Sequence, residues 1–325
     1  MTKVVIVSTG GTIASRVDRE RGFITSQATG AELVGLLLKP TDVAIEVDEF
    51  VMVGSFQFDL DLVFRLTRRI AAHLDDATVA GVVVTQGTDT MEESAFMADL
   101  LVGSDKPLVF TGAQRHADEP DSDGPRNLSD AIKVAAALEG RGLGAVIVFE
   151  QEIHAARDVT KVHAARVGTF ASGEHGKLGE VDGERVIVHR RPTLRRAFAA
   201  EQIESRVDLV KLVMGSDGRF IDHAVADGAR AIVLEAFGRG NATLAVVDAV
   251  RRATERGVLV IVTTRCPQGR VAPIYGNGGG KDLVAAGAVF AGDMSGIKAR
   301  ILLAVLLAGG GSRSEVIDRV VAMAG

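Results

Sequence analysis

Three times in the N-terminal third of the chain, a run of apolar residues stops abruptly at a hydroxyl side chain followed by a glycine-containing turn. Residues 4–7 (VVIV) run into Ser8, Thr9, Gly10, Gly11 and Thr12; residues 80–84 (AGVVV) into Thr85, Gln86, Gly87, Thr88 and Asp89; residues 107–110 (PLVF) into Thr111, Gly112, Ala113, Gln114 and Arg115. Continuous β-branched runs read as strands buried on both faces. Parallel neighbours need long crossover connections, and helix-patterned stretches lie between these runs. The repeat therefore predicts an α/β chain with a larger N-terminal, doubly wound, mostly parallel sheet domain. In open sheets of this kind ligands bind just past the carboxyl ends of the strands. Glycine there removes Cβ bulk, so backbone N–H groups and the hydroxyls of Thr9 and Thr12 can crowd one small ligand. The plainer alternative is a set of tight βα turns that use glycine for steric reasons alone.

Taken in order, residues 16–22 (RVDRERG) are charged, lack periodicity and read as an exposed, mobile loop beside Thr12. A helix at 31–38, a strand at 43–53, the segment GSFQFD at 54–59 and a helix through His73 follow. Thr90 and Glu93 have the spacing of a capping box, which places Glu92 and Glu93 in a first helical turn. Residues 121–127 (DSDGPRN) read as loop before a helix at 128–138, and 145–149 as a fourth strand leading to Asp158, Val159, Thr160 and Lys161. Asp182-Gly183 signals a hairpin at a sheet edge. The charged HRRPTLRR breaks the pattern, which divides the chain into a domain at 1–189, a linker at 190–206 and a smaller α/β domain at 207–325. Strands are expected there at 209–213, 231–234 and 258–262, and the Gly-rich YGNGGGK at 275–281 reads as a loop.

With 325 residues the chain is long enough for two domains and a substantial core. A net charge of −5, no tryptophan and a single tyrosine argue against a nucleic-acid partner. The one cysteine, Cys266, forbids an intrachain disulfide and is expected to be a small buried apolar residue. The chain enters a strand after Met1, Thr2 and Lys3 with no signal-peptide pattern, so a cytoplasmic location is expected. The longest apolar segment, 301–308, is short of the ~20 residues that span a bilayer, so no membrane role is expected. GNGGGK lacks the spacing and the Ser or Thr of a phosphate loop, because Asp282 follows Lys281. HExxH, paired CxxC and GxSxG are absent, and TGGT is not the GxGxxG of dinucleotide folds. His154 and His163 each begin an HAAR tetrapeptide without a clustered third ligand, so they read as surface or hydrogen-bonded histidines and no metal is assigned.

What gathers at the strand ends is chemically specific: the hydroxyls of Thr12 and Thr88, the carboxylate of Asp89 and the amine of Lys161. A threonine hydroxyl is a weak nucleophile and needs a base, and a lysine in a dry site can serve. Helix capping by Thr88 and Asp89, with a solvated Lys161, is the structural alternative.

These pieces together resemble the bacterial-type L-asparaginase family, including the glutaminase-asparaginases, over nearly the whole chain. The resemblance is carried by STGGTIAS (8–15), QGTDTMEE (86–93), DGPRN (123–127) and DVTK (158–161). It implies a nucleophilic Thr12, a proton relay of Thr88, Asp89 and Lys161, a Ser55 contact to a substrate α-carboxylate, and an Asp89 contact to its α-amino group. Gly11 and Gln114 join the implied binding residues, and the FGRGNA loop (237–242) makes Asn241 a candidate at a neighbouring subunit's site. The implied reaction is hydrolysis of L-asparagine to aspartate and ammonia through an acyl-enzyme, with some L-glutamine turnover, without a cofactor, in a homotetramer built as a dimer of dimers. Two positions depart from the family pattern. Phe23 stands where a loop tyrosine is usual, so Tyr275 is the candidate to supply the missing hydroxyl; Phe56 stands where Gln is usual, with Gln57 one residue later as a substitute. A non-catalytic amino-acid-binding or regulatory protein of the same fold is the alternative, and a phosphate- or nucleotide-binding module a third.

Overall fold

A computed structural model describes residues 2–18, 23–26, 29–35, 37 and 42–324, with backbone alone for 16–18, 23–26, 30 and 33. The chain divides into two units, Met1–Ala197 and Phe198–Gly325. Residues 190–206 contain neither helix nor strand.

The strands of the first unit are β1 (Lys3–Ser8), β2 (Ser15–Asp18), β3 (Phe23–Ser26), β4 (Ala44–Glu49), β5 (Val79–Thr85), β6 (Leu108–Thr111), β7 (Ala145–Phe149), β8 (Glu152–Ala155), β9 (Thr160–Lys161), β10 (Phe170–Ala171), β11 (Gly179–Asp182) and β12 (Arg185–Val188). Its helices are α1 (Gly30–Gly35), α2 (Leu60–Asp75), α3 (Met91–Leu101) and α4 (Gly124–Ala136). Among the described residues the main sheet has the order β12-β11-β8-β7-β6-β5-β1-β4, parallel from β7 to β4. Numbered by appearance, those five parallel strands run 2-1-3-4-5, so the chain leaves β1 in one direction and returns to its other side at β5. That reversal is a topological switch point, where the loops after two adjacent strands diverge and leave a crevice.

Successive residues of β1 face opposite layers, as a pleated strand requires. Val4 and Ile6 join the core under α4, against Leu128, Ala131 and Ala135, with Val34 of α1 packed on it. Val5 and Val7 join the core under α2 and α3, against Leu66, Ile70 and Ala95. Three crossovers therefore share one hand. The fourth, β6-α4-β7, moves along the sheet in the same direction as β5-α3-β6 but puts its helix on the opposite face. Parallel crossovers are right-handed in about 98% of cases, so this connection is the exception. Its consequence is positional: the start of α4 sits under the first turn, where a Cβ on Gly124 would stand 3.0 Å from Cγ1 of Ile13.

In the second unit β13 (Val207–Lys211), β14 (Ala231–Ala236), β15 (Leu259–Thr264) and β16 (Val289–Phe290) lie side by side in sequence order, all parallel. Helices α5 (Arg219–Ala226), α6 (Leu244–Glu255) and α7 (Gly280–Ala285) share one core with Ile232, Leu234, Val260 and Val262. The apolar segment 301–308 belongs to α8 (Gly296–Ala308), a helix buried on nearly all sides and packed on β13, β14 and β15, as an all-round apolar helix must be. The last helix, α9 (Arg313–Met323), opens with a true capping box between Ser312 and Glu315.

The α/β architecture and the edge hairpin at Asp182-Gly183 stand as read from the sequence. Several local expectations do not. Residues 16–18 are strand rather than loop, because β2 pairs with β3 through Asp18 and Phe23; residues 19–22 lie outside the described residues. The strand expected at 43–53 stops at Glu49, and residues 50–53 instead fold over the end of β1, with the N–H groups of Phe50 and Val51 donating to Ser8 O. Helix α4 starts at Gly124 rather than 128, since Pro125 in its first turn suits a position whose N–H would be unpaired anyway. Residues 280 and 281 belong to α7 rather than to the glycine-rich loop. Strand β16, two residues long, is too short to carry a recognisable pattern. Cys266 is exposed rather than buried, because it follows β15 in a turn where its N–H bonds to Thr264 Oγ1.

Candidate active site

Ser8, Thr85 and Thr111 end three adjacent strands in matched register, so their turns emerge side by side. Backbone bonds lock them together: Thr9 N–H donates to Thr85 O and Gln86 N–H to Thr111 O. The glycines of the first two turns touch. Gly11 has φ +86°, and a Cβ on it would stand 2.2 Å from Gly87 N; a Cβ on Gly87 would stand 2.6 Å from Ser55 Oγ. Only glycine permits this approach. Thr12 and Thr88 are each one residue beyond these touching glycines, on the two turns that border the switch crevice.

Thr12 opens a short 3₁₀ turn, Thr12–Ala14, fixed by bonds from Ala14 N and Ser15 Oγ to Gly11 O. It is partly exposed, and its hydroxyl is engaged by none of the described residues. Thr88 is buried and Asp89 exposed, both on the turn before α3. Lys161 reaches them from β9: its Nζ donates to Thr88 Oγ1 at 2.9 Å and to Asp89 Oδ1 at 2.7 Å. The lysine side chain is 14% exposed and that of Asp89 is 55%. The amine is therefore held in a drier position than its counter-ion.

Ser55 is buried at the start of a 3₁₀ turn, Ser55–Gln57, where its Oγ accepts from Asp89 N and its carbonyl accepts from Thr90 Oγ1 at 2.8 Å. This corrects the expected capping box, because the Thr90 hydroxyl is spent on Ser55 and α3 begins without a side-chain cap. The expectation that this segment could be a strand does not hold: residues 55–57 form the 3₁₀ turn, and both Phe56 and Gln57 are exposed, with the Phe56 ring lying over Gly54. Gln114 comes within 3.5 Å of Thr88 Oγ1 through Oε1, while its buried Nε2 has no partner among the described residues. Its backbone is pinned by Asp123, a buried carboxylate that accepts from Gln114 N, Arg115 N and Asn127 Nδ2.

The first unit thus brings Gly11, Thr12, Ser55, Thr88, Asp89, Gln114 and Lys161 to its strand ends. Asn241 and Tyr275 belong to the second unit. There Asn241 N–H donates to Phe237 O in a tight turn, and Tyr275 is 56% exposed. The backbone of Phe23 is in β3; its side chain lies outside the described residues. His154 is buried, 2.9 Å from Ser172 Oγ through Nδ1, and burial lowers its pKa; partly exposed His163 accepts from the N–H groups of Ala165 and Arg166. Sequence reasoning missed two buried supports, Asp123 and Glu92. For Glu92 the available signal was only a first-turn acid, shared with its neighbour Glu93.

Comparison with known proteins bears on the same strand ends. The family model described as Asparaginase, N-terminal, matches residues 3–194, and that of the Glutaminase/Asparaginase C-terminal domain matches residues 206–319. The L-asparaginase of Bacillus licheniformis is 34% identical over 94% of this chain and 95% of its own. A probable L-asparaginase of Deinococcus radiodurans is 36% identical over 97% of this chain and 96% of its own. The crystal structure of a probable cytoplasmic L-asparaginase from Campylobacter jejuni superposes with a TM-score of 0.88 at 25% identity, covering 98% of this chain and 99% of that one. With both family domains matched in order and the touching glycine turns explained by the fold, this chain belongs to the asparaginase family.

Proposed function

We propose that the protein hydrolyses L-asparagine to L-aspartate and ammonia, with Thr12 as nucleophile. The observation that carries this reading is the Lys161 amine bridging Thr88 and Asp89 beside the turn that presents Thr12. Thr12 Oγ adds to the side-chain amide carbon, and its proton passes by way of the Thr88 hydroxyl to the amine form of Lys161. Backbone N–H groups near Gly11 and Thr88 meet the developing oxyanion, each preorganised donor contributing about 3 kcal/mol. The proton returns to the departing nitrogen, ammonia leaves, and water cleaves the Thr12 ester to release aspartate. Ser55 and Asp89 hold the α-carboxylate and α-amino groups, with Gln114 lining the pocket. Turnover of L-glutamine at a lower rate belongs to the same reading, since one methylene changes pocket energetics by only about 1–3 kcal/mol.

The direct test is ammonia release from L-asparagine by wild type and Thr12→Val. Full turnover in the variant overturns the nucleophile assignment. Binding of asparagine in a calorimeter with no turnover by wild type favours the non-catalytic reading instead. Assembly as a homotetramer, with Asn241 serving a neighbouring subunit's site, is tested by light scattering and by Asn241→Ala. Tyr275→Phe with undiminished turnover removes Tyr275 as the source of the missing hydroxyl. Cell fractionation checks the cytoplasmic location.

A further inference from the structure

The relay depends on a lysine at the end of a flexible four-carbon stem, so something must fix where that stem begins. Strand β9 is only two residues long and, among the described residues, pairs only with β10, through Lys161 with Phe170 and Thr160 with Ala171. Two residue pairs are a marginal sheet. Glu92 lies in the first turn of α3 and is 5% exposed. Its Oε1 accepts from Thr160 Oγ1 at 3.1 Å and from Lys161 N–H at 3.2 Å, one bond from each residue of β9. Burying a carboxylate is costly unless such bonds offset it, and a first-turn site at the positive end of the helix dipole helps further. On the other side Phe170 packs edge-on against Phe149, with ring centroids 5.2 Å apart.

We infer that Glu92 is the positioning residue that aims Lys161 at Thr88 and Asp89. Thr88 and Asp89 sit on the turn that opens α3, and Glu92 sits on the first turn of that same helix. One rigid element therefore carries both the acceptors of the Lys161 amine and the clamp on the Lys161 backbone. Motion of α3 moves target and root together, so the two short Nζ bonds survive it. Without that clamp, the described bonds to the backbone around Lys161 are those of β10 and of Val162 N–H to Thr169 O, none of which ties it to α3. The inference rests on the relay proposed above, but its geometry has a readout that does not need turnover.

The test compares wild type with Glu92→Gln, Glu92→Ala and Thr160→Val in the full chain. Each is followed by kcat and KM for asparagine and by the rate at which an amine-reactive ester labels Lys161, read by peptide mass spectrometry. Displacing a group by about 1 Å costs about 100-fold, so Glu92→Ala is expected to lose about that factor in kcat with KM within about threefold, and to label Lys161 about tenfold faster. Glu92→Gln keeps an oxygen that accepts both bonds and is expected to stay within about threefold of wild type in kcat and labelling. Thr160→Val removes one of the two bonds and is expected to cost about fivefold in kcat, which keeps the question open to test if Glu92→Ala does not fold. Wild-type labelling in both Glu92→Ala and Thr160→Val overturns the inference, as does a loss in folded Glu92→Gln as large as in Glu92→Ala. If wild type releases no ammonia but the labelling contrast holds, the functional reading falls and the clamp stands.

Discussion

The two units use the same building unit, a parallel strand followed by a helix, yet they order it differently. In the second unit β13, β14, β15 and β16 follow one another across the sheet, so every crossover steps the same way and α5, α6 and α7 share one face. In the first unit the order reverses at β1, and helices cover both faces. A reversal makes adjacent loops part in opposite directions, and in the first unit the reversed hand of β6-α4-β7 does the same between β5 and β6. Both units carry threonine at or just past strand ends, but Thr264 of β15 uses its hydroxyl to brace the next turn, whereas Thr12 and Thr88 lie in the turns at the switch point. On the proposed reading, position at the switch point, not residue type, separates a structural threonine from a chemical one.

The sharpest way to break this contrast is to remove the hydroxyl or amine from each setting. Thr88→Val and Lys161→Met are each expected to lower kcat about 10³-fold, as loss of a positioned acid–base group does, while Thr264→Ala leaves turnover at wild type in the same ammonia assay. A second pair sets two left-handed glycines against each other. Gly11→Ala meets backbone at 2.2 Å and is expected to cost about 3 kcal/mol in denaturant unfolding and most of the turnover. Gly257→Ala, at φ +84° with open space around it, is expected to cost only about 1–2 kcal/mol and no activity.

Acid sensitivity should divide in the same way, because His154 and Asp130 are buried in the first unit. Burial lowers the His154 pKa from its ordinary 6.5, so below that pH the unfolded chain takes up a proton that the native one refuses. Native stability is therefore expected to fall as pH drops from 6.5 toward the folded pKa, and His154→Gln to flatten that slope in denaturant midpoints. Asp130 has the opposite sign: burial raises its pKa above 3.8, so its carboxylate weakens the fold as pH rises through that range. Asp130→Asn is expected to raise the midpoint at about pH 7 and to lose that advantage at about pH 3. The smallest effect belongs to the β7–β8 turn, where Glu150 holds φ +48°. Glu150→Asn, which suits that region and keeps the N–H bond to Asn127 Oδ1, is expected to add about 0.5–1 kcal/mol of stability.

Much of the site is legible without any fold. Thr12, Thr88 and Asp89 announce themselves because each follows a β-branched run at a glycine turn, and that pattern is local. Lys161 is a weaker signal, found by following the 145–149 strand onward and sharpened by the DVTK resemblance, since a lysine in a two-residue strand leaves no periodic trace. Glu92 looks like a dipole-favoured first-turn acid; its bonds to Thr160 and Lys161 join positions 68 and 69 residues apart, which no local pattern reports. Cys266 defeats the sequence reading because composition says how often a cysteine is buried, not whether this one follows a strand into an exposed turn.

By itself, then, the sequence determined that strands and helices alternate, that the sheets are mostly parallel, and which turns lack side-chain bulk, because apolar periodicity and glycine act over a few residues. The tertiary structure alone decided the 2-1-3-4-5 order, the reversed hand of β6-α4-β7 and the meeting of Lys161 with Thr88 across 73 positions. Those depend on which faces pack against which, an energy summed over the whole core, and no single stretch of chain carries it.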